Sequence, residues 1–338
     1  MAIPALMIAG YAVAQHVRVL PDPAKKEVNI LIDGKPFTAY LYPDSLEKPV
    51  LYPLRAASGK TVTRGFPLQP RPGERVDHPH HVGMWLNYES VNGLDFWNNS
   101  YAIPADRKSH YGWIRHQAIL QAKSGDQGLL VVSAHWTNQA GDVLLKEKTS
   151  FTFSGDEHDR VIDRITTLTA VVPVAFKDVK DGMLGIRVAR QLEIPSSEKE
   201  QFVDDKGNIT EVAASNDPSV NGTYLTSEGK TGNDAWATRG RWCMLYGKMD
   251  GETESIAVFD HPRNPGYPTY WHARGYGLFA ANPLGQAVFS NGKLSMNLHL
   301  EPGQSVTFRY RVLIHNGTAP LSVATLNHVA DDFAGSAR

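Results

Sequence analysis

The residues best suited to chemistry fall in two windows that open on the same tripeptide, Asp77-His78-Pro79 and Asp260-His261-Pro262. The first window gathers His78, His80 and His81 beside Asp77. Imidazole titrates near neutrality, so such a cluster can donate or accept protons or bind a metal. The second window holds Asp260, His261, Asn264, Trp271, His272 and Arg274, stiffened by prolines at 262, 265 and 268. A rigid loop of this kind suits side chains that must be held in place. The pattern points to acid-base catalysis by His78 or His81 together with His261, with Asp260 orienting an imidazole or acting as the base. In extended chain His78 and His80 point one way and His81 the other, so a bend, for which Pro79 is the candidate, is needed to bring all three to one site.

Other residues in and between these windows would complete a polar, aromatic-walled pocket. Trp85, Trp97 and Trp271 offer faces for a sugar ring, and His80, Asn87 and His272 offer hydrogen bonds for its hydroxyls. The run FKDVKDGMLGIRVAR supplies Lys177 and Lys180, then Arg187 and Arg190 inside an apolar strand. A buried arginine is costly unless paired, so one of the two should meet a carboxylate or a ligand. With Arg274, the cations Lys177, Lys180 and Arg187 could hold an anionic or keto oxygen. A metal site would draw on His78, His80, His261 and His272, but their spacing matches no standard metal motif. No cofactor is called for. A dinucleotide glycine motif, a phosphate-binding loop and a Gly-x-Ser-x-Gly elbow are all missing.

The elements that must position these residues read as strands. Period-two alternation marks Glu27 to Ile32 and Pro36 to Tyr42 around an Asp33-Gly34 hairpin signal. It recurs from Leu129 to Thr137, Val143 to Phe153, Val161 to Val172, Met183 to Ile194, Arg241 to Lys248, Ser255 to Phe259 and Gly285 to Ser290. Lys293–Leu300 and Ser305–His315 flank a Glu301-Pro302-Gly303-Gln304 turn. One helix is expected, from Leu321 to Phe333. Residues 195–240 are polar and turn-rich, and read as a long surface excursion. The fold class is therefore mainly β, a large antiparallel two-sheet sandwich occupying residues 16–338 as one domain.

With 338 residues and a formal net charge of -1, the chain carries no basic excess for nucleic acid or an anionic membrane surface. No stretch is long and apolar enough to be an integral membrane segment. The single cysteine, Cys243, is expected as a buried apolar residue on a strand. Residues 1–15 are apolar and end in Ala12-Val13-Ala14 before Gln15, a small-x-small pattern that reads as a remnant signal peptide without its positive region. That implies a periplasmic or secreted protein; if the stretch is instead an N-terminal structural element, a cytoplasmic one.

Four runs, LYPLRAASGKTVTRGFPL, DHPHHVGMWLNYESVNGLDFW, FKDVKDGMLGIRVA and FDHPRNPGYPTYWHARGYGLFAANPLG, resemble a family of bacterial, often exported proteins that carry the label methane oxygenase PmoA. A membrane oxygenase subunit needs a spanning segment, so we set that label aside as a guide to activity. The strand pattern with PGQSVTFRYRVLIH near the C-terminus is similar to the galactose mutarotase-like supersandwich. That resemblance implies carbohydrate chemistry with a His acid and a carboxylate base, and places no residue.

Three functions are open at this point, each with a small-molecule carbohydrate or related substrate as partner. The first is an enzyme acting on a sugar or a keto or acidic sugar, as an epimerase, lyase or hydrolase. The second is a non-catalytic carbohydrate-binding protein of the envelope. The third is a His-ligated metal-dependent enzyme.

Overall fold

Two eight-stranded antiparallel sheets face one another in the computed structural model, which describes residues 16–197, 199–203, 208–212 and 217–336. Residues 1–15, the stretch that reads as a signal peptide, lie outside the described residues. The first sheet runs Val17–Asp22, Glu27–Ile32, Lys35–Leu41, Val50–Leu51, Met84–Tyr88, Gly182–Arg187, Leu278–Asn282, Tyr270–Ala273. The second runs Thr223–Thr226, Trp242–Met249, Glu252–Asp260, Ser305–Gly317, Asp159–Ala170, Val143–Gly155, Gly128–Thr137, Trp113–Lys123.

Alternation explains the sandwich. Val28, Ile30 and Ile32 from one sheet, and Phe151, Phe153, Ile162, Val312 and Ile314 from the other, join one core between them. Asp33 and Gly34 both take positive φ, 50° and 75°, as a two-residue turn twisted like its flanking strands demands. Gly303 has φ 86° and the Gln304 amide donates to the Glu301 carbonyl at 2.9 Å, closing the expected turn.

Part of the outer face of each sheet is also covered. The helix Val323–Gly335, N-capped by Ser322, lays Leu326, Ala330 and Phe333 on Trp242, Met244, Ala257 and Phe259 of the second sheet. On the first sheet Val50, Tyr52, Val82, Trp85, Trp97, Leu278 and Ala280 form a separate apolar cluster. Cys243 is buried in its strand, where desolvation pushes its thiol pKa well up and keeps it protonated.

Residues 195–240, expected as a surface excursion, contribute the strand Thr223–Thr226 to the edge of the second sheet, and three expected elements differ. The strand predicted over Met183 to Ile194 stops at Arg187, and Arg190–Leu192 is a 3-10 turn in which Arg190 pairs with Glu193 at 2.5 Å. Gly285 to Ser290 contains a short helix, Gln286–Phe289, where Asp178 accepts from the Ala287 amide at its first turn. Only Leu298–Leu300 of the predicted Lys293–Leu300 is a strand, and it pairs with Val174–Phe176 instead of its sequence neighbour.

Candidate functional site

The adjacent strands Met84–Tyr88, Gly182–Arg187, Leu278–Asn282 and Tyr270–Ala273 set Trp85, Gly185, Ala280 and His272 in one row. Leu86, Ile186 and Phe279 face the core, so this row lies on the outer face of the first sheet. Gly185 is required here because the Trp85 indole lies across it; a Cβ at that position would stand 2.5 Å from an indole carbon.

Above the row, the first Asp-His-Pro loop folds into a tight turn. The His81 amide donates to the His78 carbonyl at 2.9 Å, with Pro79 second in the turn and His78 at φ 45°. A non-glycine residue held in the left-handed region is strained, and such strain gathers at functional sites. The turn supplies the bend that the three imidazoles need. The His78 and His81 rings stack at 4.8 Å, 1° from parallel, and His80 meets both edge-on.

Two buried arginines hold the loop. Arg64 donates to the Asp77 carboxylate at 2.7 Å and to the carbonyls of Asp77, His78 and His81. Arg187, fully buried, donates to the same carboxylate oxygen at 2.7 Å and to His81 Nδ1 at 3.2 Å. The other Asp77 oxygen receives His78 Nδ1 at 2.5 Å. Burial alone would raise the Asp77 pKa, but the His78 hydrogen bond and the charges of Arg187 and Arg64 outweigh it and hold it well below the usual carboxylate range. Desolvation, with His80 and Arg187 next, pushes His81 far down, so its ring is neutral. Because Nδ1 accepts from Arg187, Nε2 carries the proton.

His78 is the accessible member, its side chain 42% exposed. It is clamped on both faces, by His81 and by Tyr276 at 5.1 Å and 3°. The stack continues at both ends. His81 lies on Trp85 at 5.2 Å, and Tyr276 lies under the Arg187 and Arg274 guanidiniums. Arg274 in turn covers Trp236 at 4.8 Å. Arg274 is exposed at this rim, and no carboxylate among the described residues pairs with it.

At the far side of the row His272 is buried against Trp236 and Phe289. Its Nδ1 lies 3.4 Å from Asp181, without hydrogen-bond geometry. Asp181 is gripped by Lys180 at 2.8 and 2.9 Å. Desolvation, then Lys180 and Arg274, drive the His272 pKa well down. Glu89 accepts from the Asp181 amide at 3.3 Å, and burial followed by the charges of Asp181 and Asp95 raises its pKa.

The structure thus brings His78, His80, His81, Arg187, Trp85 and Trp97 together, with Lys180, His272 and Arg274 on the same face. Other expected members are placed differently. Trp85 and Trp97 are buried beneath the loop, Asn87 is buried with its amide on the Phe96 carbonyl, and Trp271 faces the core, so none of them offers a surface to a sugar. Lys177 is exposed, with no side-chain partner among the described residues.

Asp260 and His261 do not join this cluster. Asp260 ends a strand of the second sheet, fully buried, accepting from Asn264 Nδ2 at 2.7 Å and from the Thr269 amide at 2.8 Å. Burial raises its pKa to about 7. His261 packs edge-on against Phe333 of the C-terminal helix at 5.1 Å, its Nδ1 accepting from the Arg263 amide. The expected pairing of His261 with the first loop is therefore corrected. The same placement separates the possible ligands His78 and His80 from His261, and no three His, Cys, Asp or Glu side chains among the described residues are arranged to hold a metal.

Arg64, Tyr276 and Trp236 are the members that sequence reasoning missed. Arg64 lies in the run TVTRGF, after three residues of high strand propensity, where a buried arginine signals a paired carboxylate. Tyr276 and Trp236 carry no local signal, since their partners lie on other segments.

Several solved structures are loosely similar in shape. The GH36 alpha-galactosidase AgaB from Geobacillus stearothermophilus is 12% identical over 89% of this chain and 41% of that one, with a TM-score of 0.41. The galactosidase domain of the alpha-galactosidase-sucrose kinase AgaSK is 9% identical over 90% and 42%, with a TM-score of 0.40. The Slr1438 protein from Synechocystis sp. PCC 6803 is 11% identical over 93% and 100%, with a TM-score of 0.31. The chain spans about two fifths of the galactosidase chains it resembles. No curated protein matches the sequence. Residues 27–330 match the family described as Family of unknown function (DUF6807), which is nearly the whole chain after its first residues, and the protein belongs to that family.

Proposed function

We propose that this protein is a carbohydrate-active enzyme that moves a proton on a sugar, or on a keto or acidic sugar, with His78 as the catalytic residue. One observation carries the reading. His78 is exposed, clamped between two parallel rings, and joined through Nδ1 to a carboxylate that two buried arginines keep ionised. An imidazole so held has a fixed orientation and its Nδ1 engaged by Asp77, which leaves Nε2 to take a proton as a general base. His81 is the stacking support in this reading, because it is neutral and occupied by Arg187. Arg274 is the cation that meets a developing oxyanion, since it is exposed at the rim, whereas Arg187 is fully buried with its charge engaged by Asp77. Tyr276, Trp236 and Lys180 supply the aromatic and hydrogen-bonding rim that a polyol needs.

Thermal denaturation of the purified protein against a panel of sugars, keto-sugars and uronates tests it, because a ligand that binds only the native state raises the midpoint. One sugar class should raise the midpoint and should be turned over by wild type, with the turnover lost in His78→Ala. A class that binds equally well to both proteins and is never turned over would make this a binding protein instead.

A further inference from the structure

We propose that Lys48 is a covalent ligand site: its ε-amine, on a side chain that lines a small cavity beside the His80 loop, forms an imine with a small aldehyde or ketone. Lys48 follows the strand Lys35–Leu41 and sends its side chain inward, where it is 5% exposed. Its Nζ donates to the His80 carbonyl at 2.8 Å and stands 5.5 Å over the Trp85 ring. No carboxylate lies within ion-pair distance of it among the described residues, although Glu47, its chain neighbour, reaches Lys108. An ammonium carries three donors, and this one finds a single hydrogen-bond acceptor, so the pocket fits a neutral amine better than a cation.

The space next to it is suited to a reactant. A cavity of about 240 Å³ is lined by Lys48, Pro79, His80, Val82, Leu68 and Tyr101. That is smaller than a typical drug-sized pocket, roughly 300–1,000 Å³, and limits the occupant to a small carbonyl compound. Burial also pulls the Lys48 pKa down to about 8, against the charges of Glu47 and Asp95, which leaves free amine present near neutrality.

The step balances without a co-reactant. The amine nitrogen attacks the carbonyl carbon, a C–N bond forms, and one amine proton passes to the former carbonyl oxygen. The second amine proton leaves with that hydroxyl as water, and the C=N bond remains. Nothing in it uses His78, so the inference stands or falls apart from the acid-base reading above.

Brief treatment of the full chain with glycolaldehyde and sodium cyanoborohydride, followed by peptide mapping, tests it. Lys48 should be alkylated at least tenfold faster than the exposed lysines Lys25 and Lys293. The fast adduct should persist in His78→Ala and vanish in Lys48→Arg, which keeps a donor for the His80 carbonyl. Labelling of Lys48 at or below the rate of Lys25 in wild type would overturn the proposal, whatever the variants do, and would leave Lys48 as a tether for the His80 carbonyl.

Discussion

The two Asp-His-Pro loops share three residues and almost nothing of their physics. In the first, Asp77 meets two guanidiniums and an imidazole, and its carboxylate is held ionised. In the second, Asp260 is hydrogen-bonded by neutral donors, the Asn264 amide and backbone N–H groups, and burial lifts its pKa to about 7. His78 is stacked and open to solvent, whereas His261 is buried against a helix. The first loop presents an imidazole; the second ties the end of a second-sheet strand to Thr269, the residue before the strand that carries His272. A short motif therefore specifies a turn and a set of options, and the charges that the rest of the chain brings to it select among them.

The sharpest way to break this contrast is to remove each imidazole. His78→Ala should lower turnover of the substrate identified by the thermal screen by about 10²–10⁴-fold, the usual worth of a positioned acid or base. His261→Ala should leave turnover unchanged. Equal losses in steady-state assays would mean that both loops serve the reaction.

Removing the carboxylates gives the next effect. Asp77→Ala strands Arg64 and Arg187 without their shared counter-ion, and should cost about 3–5 kcal/mol in urea unfolding. Asp260→Asn keeps the shape but cannot accept from both the Asn264 amide and the Thr269 N–H, and should cost only about 1–3 kcal/mol. A larger loss from Asp260→Asn than from Asp77→Ala would reverse the assignment of the two loops.

A smaller signature lies in the sign of the pH dependence. The Asp77 pKa is depressed on folding, so its contribution to stability is present above the unfolded value of 3.8 and is lost as pH falls through the lower folded value. Asp260 is raised, so the native state holds its proton longer than the unfolded chain does. Its contribution is fully present below 3.8 and declines as pH rises towards about 7. Urea midpoints followed from pH 4 to 7 should therefore fall less steeply, or rise more, in Asp260→Asn than in wild type. Parallel curves would show that Asp260 ionises as freely in the folded protein as in the unfolded chain.

Much of the scaffold was legible because its rules are local. The Asp33-Gly34 turn, the alternating strands and the C-terminal helix each follow from a few neighbouring residues. Gly285 to Ser290 misled because a short apolar run serves a helix as well as a strand, and the deciding contact, Asp178 on the Ala287 amide, comes from a distant segment. The first site was legible in part for the same reason. His78, His80 and His81 sit in one turn, while Arg64, Tyr276 and Trp236 arrive from other loops and strands. The tryptophans show what alternation leaves undecided. Trp85 does point away from the core, as its register implies, but a loop then covers that face and buries it.

The ring ladder from Trp236 through Arg274, Tyr276, His78 and His81 to Trp85 also makes the molecule its own optical probe. Rings fixed in a chiral array give a strong near-ultraviolet dichroism that disappears when packing loosens while strands persist. Trp85 lies against a neutral imidazole, a weaker quencher of indole fluorescence than the imidazolium. Opening of the His78 turn would free His81 to protonate, so a dimming of tryptophan emission at mildly acid pH would report that movement while the sheets remain intact.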